Sequence, residues 1–305
     1  METVLITGAS GLVGSCLSNK LIEKGYHVAT LGRKSEKNPS LQNFSWNIEK
    51  KEIDENAFEK VDYIIHLAGA NIGQGRWTVK RKKEILDSRI KSAQLLFQKI
   101  TENKQQLKAF ITASAIGYYG AVTTDKIFVE TDHPSQDFLG ETCRLWEESA
   151  NRFESLGVRT VKIRTGVVLT YQGGALAKMI TPVKIGLGAS IGSGKQYMPW
   201  IHMDDLCNIY IKALEDNNMH GAYNAVAPEH KTNREFSETL TKVLKKKVWL
   251  PNVPAIIVRI IFGKMAELVL NGSRVSSNKL IQEGFQFKFP TLNSALIQLM
   301  AAYRK

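Results

Sequence analysis

Between Val4 and Arg164, short apolar runs alternate with amphipathic stretches, a pattern that predicts parallel strands joined by crossover helices. Val4-Leu5-Ile6 and residues 27–31, 61–67, 109–114 and 158–164 have the apolar, β-branched character of buried strands. Leu17, Leu21 and Ile22 share one helical face ending at Gly25, residues 85–100 keep a helical period, and residues 138–156 do so until Gly157. A polar connection runs through Pro39. Beyond residue 170 the pattern changes. Gly173-Gly174 precedes a short amphipathic segment, and Gly186, Gly188, Gly192 and Gly194 mark a loop. Residues 201–214 read as a helix or a strand followed by a helix, 233–245 as a helix capped by Thr232, and 255–270 as another helix. Phe285, Phe287 and Phe289 alternate as in a strand, before Pro290 and a last helix.

The junction of the first strand and first helix carries chemistry. It reads Thr7-Gly8-Ala9-Ser10-Gly11-Leu12-Val13-Gly14, a Gly-x-x-Gly-x-x-Gly spacing. Gly8 permits a tight turn, Gly11 lets backbone approach a pyrophosphate, and Gly14 lets helix and strand pack closely. The N–H groups from Ser10 through Leu12 and Val13 then face an anion, favoured further by the helix dipole. These features predict an α/β fold: a Rossmann-type doubly wound parallel sheet with a smaller, interlaced C-terminal α/β lobe. The nucleotide-binding domain is expected over 1–170 with part of 195–230, and the substrate lobe over 171–195 and 231–305.

At 305 residues, with 43% hydrophobic and 23% charged positions, the chain has the composition of an ordinary globular protein. The formal charge of +12 gathers in runs such as Lys80-Arg81-Lys82-Lys83 and Lys245-Lys246-Lys247. No nucleic-acid motif accompanies them, so they read as solvated faces attracting small anions. The apolar stretch 253–270 is broken by Arg259, Lys264 and Glu267 and is not read as a membrane span. Cys16, Cys143 and Cys207 lack metal-ligand spacing, and no metal cluster is expected. Met1-Glu2 runs straight into a strand, without a secretory or transit pattern, so a cytoplasmic location is expected.

Coenzyme choice is read after the second strand, which ends Leu31-Gly32-Arg33-Lys34. An acid there would bind a ribose 2′-hydroxyl. Instead, Arg33 can hold a 2′-phosphate bidentately with Lys34 in support, which favours NADP(H) over NAD. Asn47 stands where a polar side chain can meet an adenine edge. Leu67-Ala68-Gly69 leaves clearance for the coenzyme backbone, and Ser114 ends a strand on the ligand-binding edge, where its hydroxyl can donate to a substrate oxygen or serve the strand end.

Taken with Gly117-Tyr118-Tyr119-Gly120 and Arg164-Thr165-Gly166-Val167-Val168-Leu169, these motifs resemble the extended short-chain dehydrogenase/reductases, relatives of the nucleotide-sugar epimerases. Gly75-Arg76-Trp77-Thr78, Ser88-Arg89-Ile90-Lys91, Trp146-Glu147, Pro199-Trp200-Ile201-His202-Met203-Asp204-Asp205 and the tail from Gly272 to Leu292 resemble the atypical "epimerase family" branch, with its small C-terminal domain of unknown function. The resemblance implies cofactor contacts at Arg89 and Arg164 and a catalytic Ser at Ser114. It also implies a Tyr-x-x-x-Lys pair, but Leu139 and Cys143 occupy those positions. A carbonyl that exchanges hydride also exchanges a proton at oxygen, and Leu139 carries none. Cys143 is a proton carrier in an electropositive setting or a small packing residue; Tyr118 and Tyr119 are substitute acids or pocket walls.

Trp77, Trp200 and Tyr119 are candidates to line a substrate pocket, with core packing as the alternative. His202 forms an acid–base pair with Asp204 or Asp205, or is structural. Two functions follow: an NADP(H)-dependent oxidoreductase or epimerase-like enzyme acting on an unidentified small molecule, or a non-catalytic NADP(H)-sensing module that presents a surface to a partner protein. Neither reading involves nucleic acid or membrane.

Overall fold

A computed structural model describes residues 1–33, 41–246 and 251–303. In chain order the described strands are β1 (Thr3–Thr7), β2 (His27–Gly32), β3 (Gln42–Asn47), β4 (Glu52–Ile53), β5 (Tyr63–His66), β6 (Ala109–Ala115), β7 (Ile127–Phe128), β8 (Arg159–Thr165), β9 (Val167–Leu169), β10 (Trp200–His202), β11 (Gly221–Ala225) and β12 (Arg274–Val275). The α-helices are α1 (Leu12–Glu23), α2 (Val79–Glu102), α3 (Phe138–Asn151), α4 (Gly174–Lys184), α5 (Met203–Glu215), α6 (Asn233–Val243), α7 (Ala255–Phe262), α8 (Glu267–Leu270), α9 (Asn278–Gln282) and α10 (Leu292–Tyr303).

Eight strands form one sheet in the order β11-β8-β6-β5-β1-β2-β3-β4. Neighbours are parallel except for the antiparallel β3–β4 pair. The chain steps outward from β1 through β2 and β3, then returns to β5 on the other side of β1. That reversal opens a crevice at the carboxyl ends of β1 and β5, where doubly wound sheets bind ligands.

Strand alternation divides the apolar residues between two layers. Val4 and Ile6 join Leu17 and Leu21 of α1 and Leu206, Ile209 and Tyr210 of α5 on one face. Leu5 joins Leu95, Leu96 and Ile100 of α2 and Phe110 and Phe153 on the other. The expected 85–100 helix begins earlier, at Val79, because Thr78 accepts the Arg81 N–H as its N-cap. A separate core collects Leu176 and Ile180 of α4, Phe236 and Leu240 of α6, Leu296 and Met300 of α10, and Trp200. Two small parallel pairs, β9 with β10 and β7 with β12, tie later segments to earlier ones.

Two later expectations are corrected. Residues 255–270 are not one helix: Gly263 adopts a left-handed φ of 58°, ending α7, and α8 starts after a single tight turn. The alternating phenylalanines form no strand. The Asp205 carboxylate accepts the Lys288 and Phe289 N–H groups at 2.8 and 3.0 Å, taking the place of a strand partner. Phe285 then enters the sheet core while Phe289 enters the C-terminal core.

One buried histidine joins β1, β5 and α2. His66 Nδ1 lies 2.7 Å from Thr7 Oγ1, and Nε2 lies 3.0 Å from Ser92 Oγ. Thr7 Oγ1 accepts the Leu67 and Ala68 N–H groups, leaving its own proton for Nδ1. Ser92 donates to the Ser88 carbonyl, so Nε2 carries the ring proton. The neutral tautomer satisfies every group, and burial holds the imidazole down to about 4.

That shift has a signed consequence. An unfolded histidine titrates near 6.5, so between pH 6.5 and 4 the unfolded chain binds the extra proton and folding weakens as pH falls. From pH 7 to pH 4.5 this site is expected to remove about 2 kcal/mol of stability. Urea unfolding at the two pH values should therefore show a smaller acid loss in His66→Gln than in the parent; equal losses would refute the assignment.

Candidate coenzyme cleft and buried polar network

The turn after β1 is built by close backbone approach. Gly8 has φ 71°, and a Cβ there would lie 2.9 Å from the Leu67 carbonyl carbon. A Cβ on Gly14 would lie 2.4 Å from the Gly8 carbonyl oxygen. Neither position admits a side chain without backbone movement. Leu67 and Ala68 are thereby placed against the turn, and Gly69 follows directly.

Gly11 is the N-cap of α1 and supplies no side-chain acceptor, and no acidic residue lies in the first turn. Ser10, Gly11 and Leu12 are exposed. The N–H groups opening the helix thus point outward with the positive dipole end behind them. A cradle closed to side chains and open at a helix N-terminus fits a dinucleotide pyrophosphate. Arg33 is exposed just past β2, whose Leu31 is in register with Thr7. Lys34 lies outside the described residues. Beside the turn is a polar hollow of about 210 Å³, lined by residues including Ser10, Thr30 and Asn43. Asn47 is exposed at the end of β3, and its side-chain Oδ1 accepts the Lys50 N–H in a local turn. A larger hollow, about 640 Å³, lies beyond the far end of α1 among Lys24, Asn208 and Glu215, remote from the glycine turn.

Ser114 faces the protein interior. Its hydroxyl donates to Glu147 Oε1 at 2.7 Å, and the residue is 3% exposed. Glu147 in turn accepts Nε and Nη2 of Arg164, both at 2.8 Å. Arg164 Nη1 donates to Tyr119 Oη at 2.9 Å and to the Glu130 carbonyl at 3.1 Å. Tyr119 donates to Asn224 Oδ1, whose amide reaches the Ser276 carbonyl. Burial opposes the charge on Arg164, but the Glu147 carboxylate outweighs it and raises the guanidinium above its ordinary value.

This network corrects three expectations. Ser114 spends its proton on Glu147, so it is not poised to donate to a substrate. Arg164 commits its donors within the fold and not to a coenzyme. Tyr119 is an interior strut, with burial driving its phenol upward. Cys143 also departs from the proton-carrier reading: burial, and then the Glu147 charge, push its thiol up to about 12. It remains a neutral packing residue beside Gly117, where a Cβ would come 3.7 Å from its sulfur. Glu147 is the central group that sequence reasoning missed. The Trp146-Glu147 pair was visible, but nothing in one-dimensional spacing connects it to Arg164.

Two substrate candidates are likewise structural. Trp200 is wholly buried in the C-terminal core. His202 caps α5 by accepting the Asp204 N–H at 3.0 Å, meets Gln298 at 2.9 Å and lies against Phe289, while burial lowers its pKa. Trp77 belongs to an apolar cluster with Ile72, Phe138, Leu139, Met265 and Leu268, its indole N–H held by the Ile72 carbonyl. Tyr118 remains partly exposed after β6, with Arg164 Cζ 3.5 Å over its ring centroid. Burial is the main cause raising its phenol above the ordinary value. Arg89 reaches back from α2 to the Ala70 carbonyl, beside Gly69. Among the described residues no three His, Cys, Asp or Glu gather as a metal site, and no helix is long and apolar enough to cross a membrane.

Residues 4–226 match the NAD-dependent epimerase/dehydratase family, and residues 253–299 match a domain of unknown function, DUF1731. The human epimerase family protein SDR39U1 is 35% identical over 98% of this chain and 99% of its own. Epimerase family protein YfhF of Bacillus subtilis is 35% identical over 98% of each chain. The crystal structure of human SDR39U1 with NADPH superposes with a TM-score of 0.87, 33% identity, and coverage of 98% of this chain and 99% of that one. UDP-glucose 4-epimerase from Thermotoga maritima shares the fold at TM-score 0.76 and 21% identity, over 99% of this chain and 98% of that one. The sheet order, the glycine turn and these matches along nearly the full length agree: the chain belongs to the NAD-dependent epimerase/dehydratase family.

Proposed function

We propose that this protein binds NADP(H) along the β1–β5 crevice and acts as an oxidoreductase on a carbonyl or alcohol group of a small molecule. One observation carries the reading: an uncapped α1 N-terminus beneath a turn whose Gly8 and Gly14 leave room for backbone alone. The human relative crystallised with NADPH supports it, and Arg33 supplies a guanidinium for a 2′-phosphate where NAD-preferring sites place an acid.

When bound, the nicotinamide supplies or accepts the hydride. The chain does the rest. The Leu12 and Val13 N–H groups orient the pyrophosphate, and Arg33 holds the adenosine end. Tyr118 holds a proton at Oη, which burial keeps in place at neutral pH. In the reducing direction that proton goes to the substrate oxygen as its carbon gains hydride. The cluster of Ile72, Trp77, Phe138 and Leu139 excludes water on the apolar side of the crevice.

A second reading, an NADP(H)-sensing module without turnover, is favoured by one observation: Ser114 is turned into Glu147.

Fluorescence titration should show NADPH bound at least about tenfold more tightly than NADH, with Arg33→Ala abolishing most of that preference; an unchanged preference refutes the role of Arg33. Screening NADPH oxidation against a panel of aldehydes and ketones separates the two readings. With a substrate found, Tyr118→Phe is expected to lower turnover by about 10²-fold or more, and Ser114→Ala by less than about threefold. The reverse ranking would overturn the proton assignment. NADPH binding without oxidation of any panel member would favour the sensor.

A further inference from the structure

Arg89 is a partly buried cation without an anion. Its Nη1 donates to the Ala70 and Ile85 carbonyls at 3.1 and 2.8 Å. Nε and Nη2 have no acceptor among the described residues, and no carboxylate pairs with this guanidinium there. Burial, with Arg81 adding repulsion, lowers its pKa. Arg164, by contrast, received Glu147. Leaving a desolvated charge unpaired is costly, and such a charge persists where something else compensates it.

The surroundings say where that compensation arrives. Arg89 Cζ lies 4.8 Å over the Trp146 ring centroid, a cation–π contact that holds the guanidinium against α3. The buried Trp146 indole N–H is also without an acceptor among the described residues, so the spot holds an excess of donors. A Cβ on Gly69 would lie 3.2 Å from Arg89 Cζ. Gly69 continues the loop that presses on Gly8, so the guanidinium sits on the route from the glycine turn toward β6. Its charge also bears on the Cys143 thiol. Cys143 stands where the sequence resemblance expects lysine; α2 therefore brings a cation to a region that α3 leaves neutral.

We infer that Arg89 anchors the nicotinamide-side half of the coenzyme, donating from Nε and Nη2 to the hydroxyls of that ribose. The inference rests on the NADP(H) reading and gives the cofactor contact expected at Arg89 its half of the coenzyme and its donor atoms. Arg89 is a binding and orienting group; no proton leaves it during the reaction.

Three ligands test it: NADPH, 2′-phospho-ADP-ribose, which keeps the second ribose, and 2′,5′-ADP, which ends at the adenosine half. Calorimetric titration of Arg89→Met, which retains an unbranched apolar stem over Trp146, should show NADPH and 2′-phospho-ADP-ribose weakened by about tenfold or more, with 2′,5′-ADP changed by less than about twofold. Arg89→Lys, which keeps the charge and loses the planar fork, should fall between parent and Met variant and serves if the Met variant does not fold. Equal weakening of all three ligands would mark Arg89 as merely structural and overturn the inference. So would unchanged binding of all three. If the parent protein binds none of them, the coenzyme reading itself fails and takes this inference with it; if the parent binds them and the variants do not discriminate, only the role of Arg89 fails.

Discussion

The crevice depends on backbone meeting backbone. Gly14 must clear the Gly8 carbonyl, and Gly8 must clear Leu67, for α1 to start directly above the edge of β1. That approach brings the outward-facing N–H groups of the helix, the Leu67–Gly69 loop and the end of β2 around one space. His66 reinforces it from below, tying Thr7, the residue before the turn, to Ser92 on α2 through a fully satisfied neutral imidazole. The arrangement is rigid because its members are main chain and buried hydrogen bonds, which do not relax independently.

On the other side of β5, the ends of β6 and β8 are organised around a carboxylate of α3. Glu147 takes a bidentate guanidinium from Arg164 and the hydroxyl proton of Ser114. A buried pair of this kind is worth most as a device for specifying geometry, since desolvation offsets much of the Coulomb gain. Its effect on chemistry is clearer than its effect on stability. The serine hydroxyl is drawn inward and the Tyr119 phenol becomes a strut. Tyr118, next to it in the chain, keeps a partly exposed phenol under the Arg164 guanidinium.

Where order came from local pattern, it was legible in the sequence. The apolar runs around Val4, Val28, Ile64, Ile111 and Val161 became neighbouring strands, and Gly8, Gly11 and Gly14 became the turn that their spacing predicted. Strands of two or three residues, such as β7, β9 and β12, were not legible, because so short a segment has no period. The phenylalanine alternation misled for a different reason: a side chain, Asp205, supplied the acceptors that a strand would otherwise need. The candidate site divided in the same way. The glycines and Arg33 belong to one contiguous strand–turn–helix–strand unit. The fates of Ser114, Arg164 and Tyr119 were decided by hydrogen-bond partners 17 or more positions away, and their residue type alone pointed outward as readily as inward.

The two borders of the large sheet are blunted by different means. On one side β4 is only Glu52–Ile53 and runs against its neighbour. On the other, α9 lies along β11, and Lys279 donates to the Ala222 carbonyl at 2.9 Å, placing an ammonium on the rim. Short, reversed or lysine-guarded margins make poor templates for strand addition by a second molecule. A second molecule in a crowded cell therefore meets a short or guarded margin on either side of the described sheet, which works against edge-to-edge polymerisation of the parallel array.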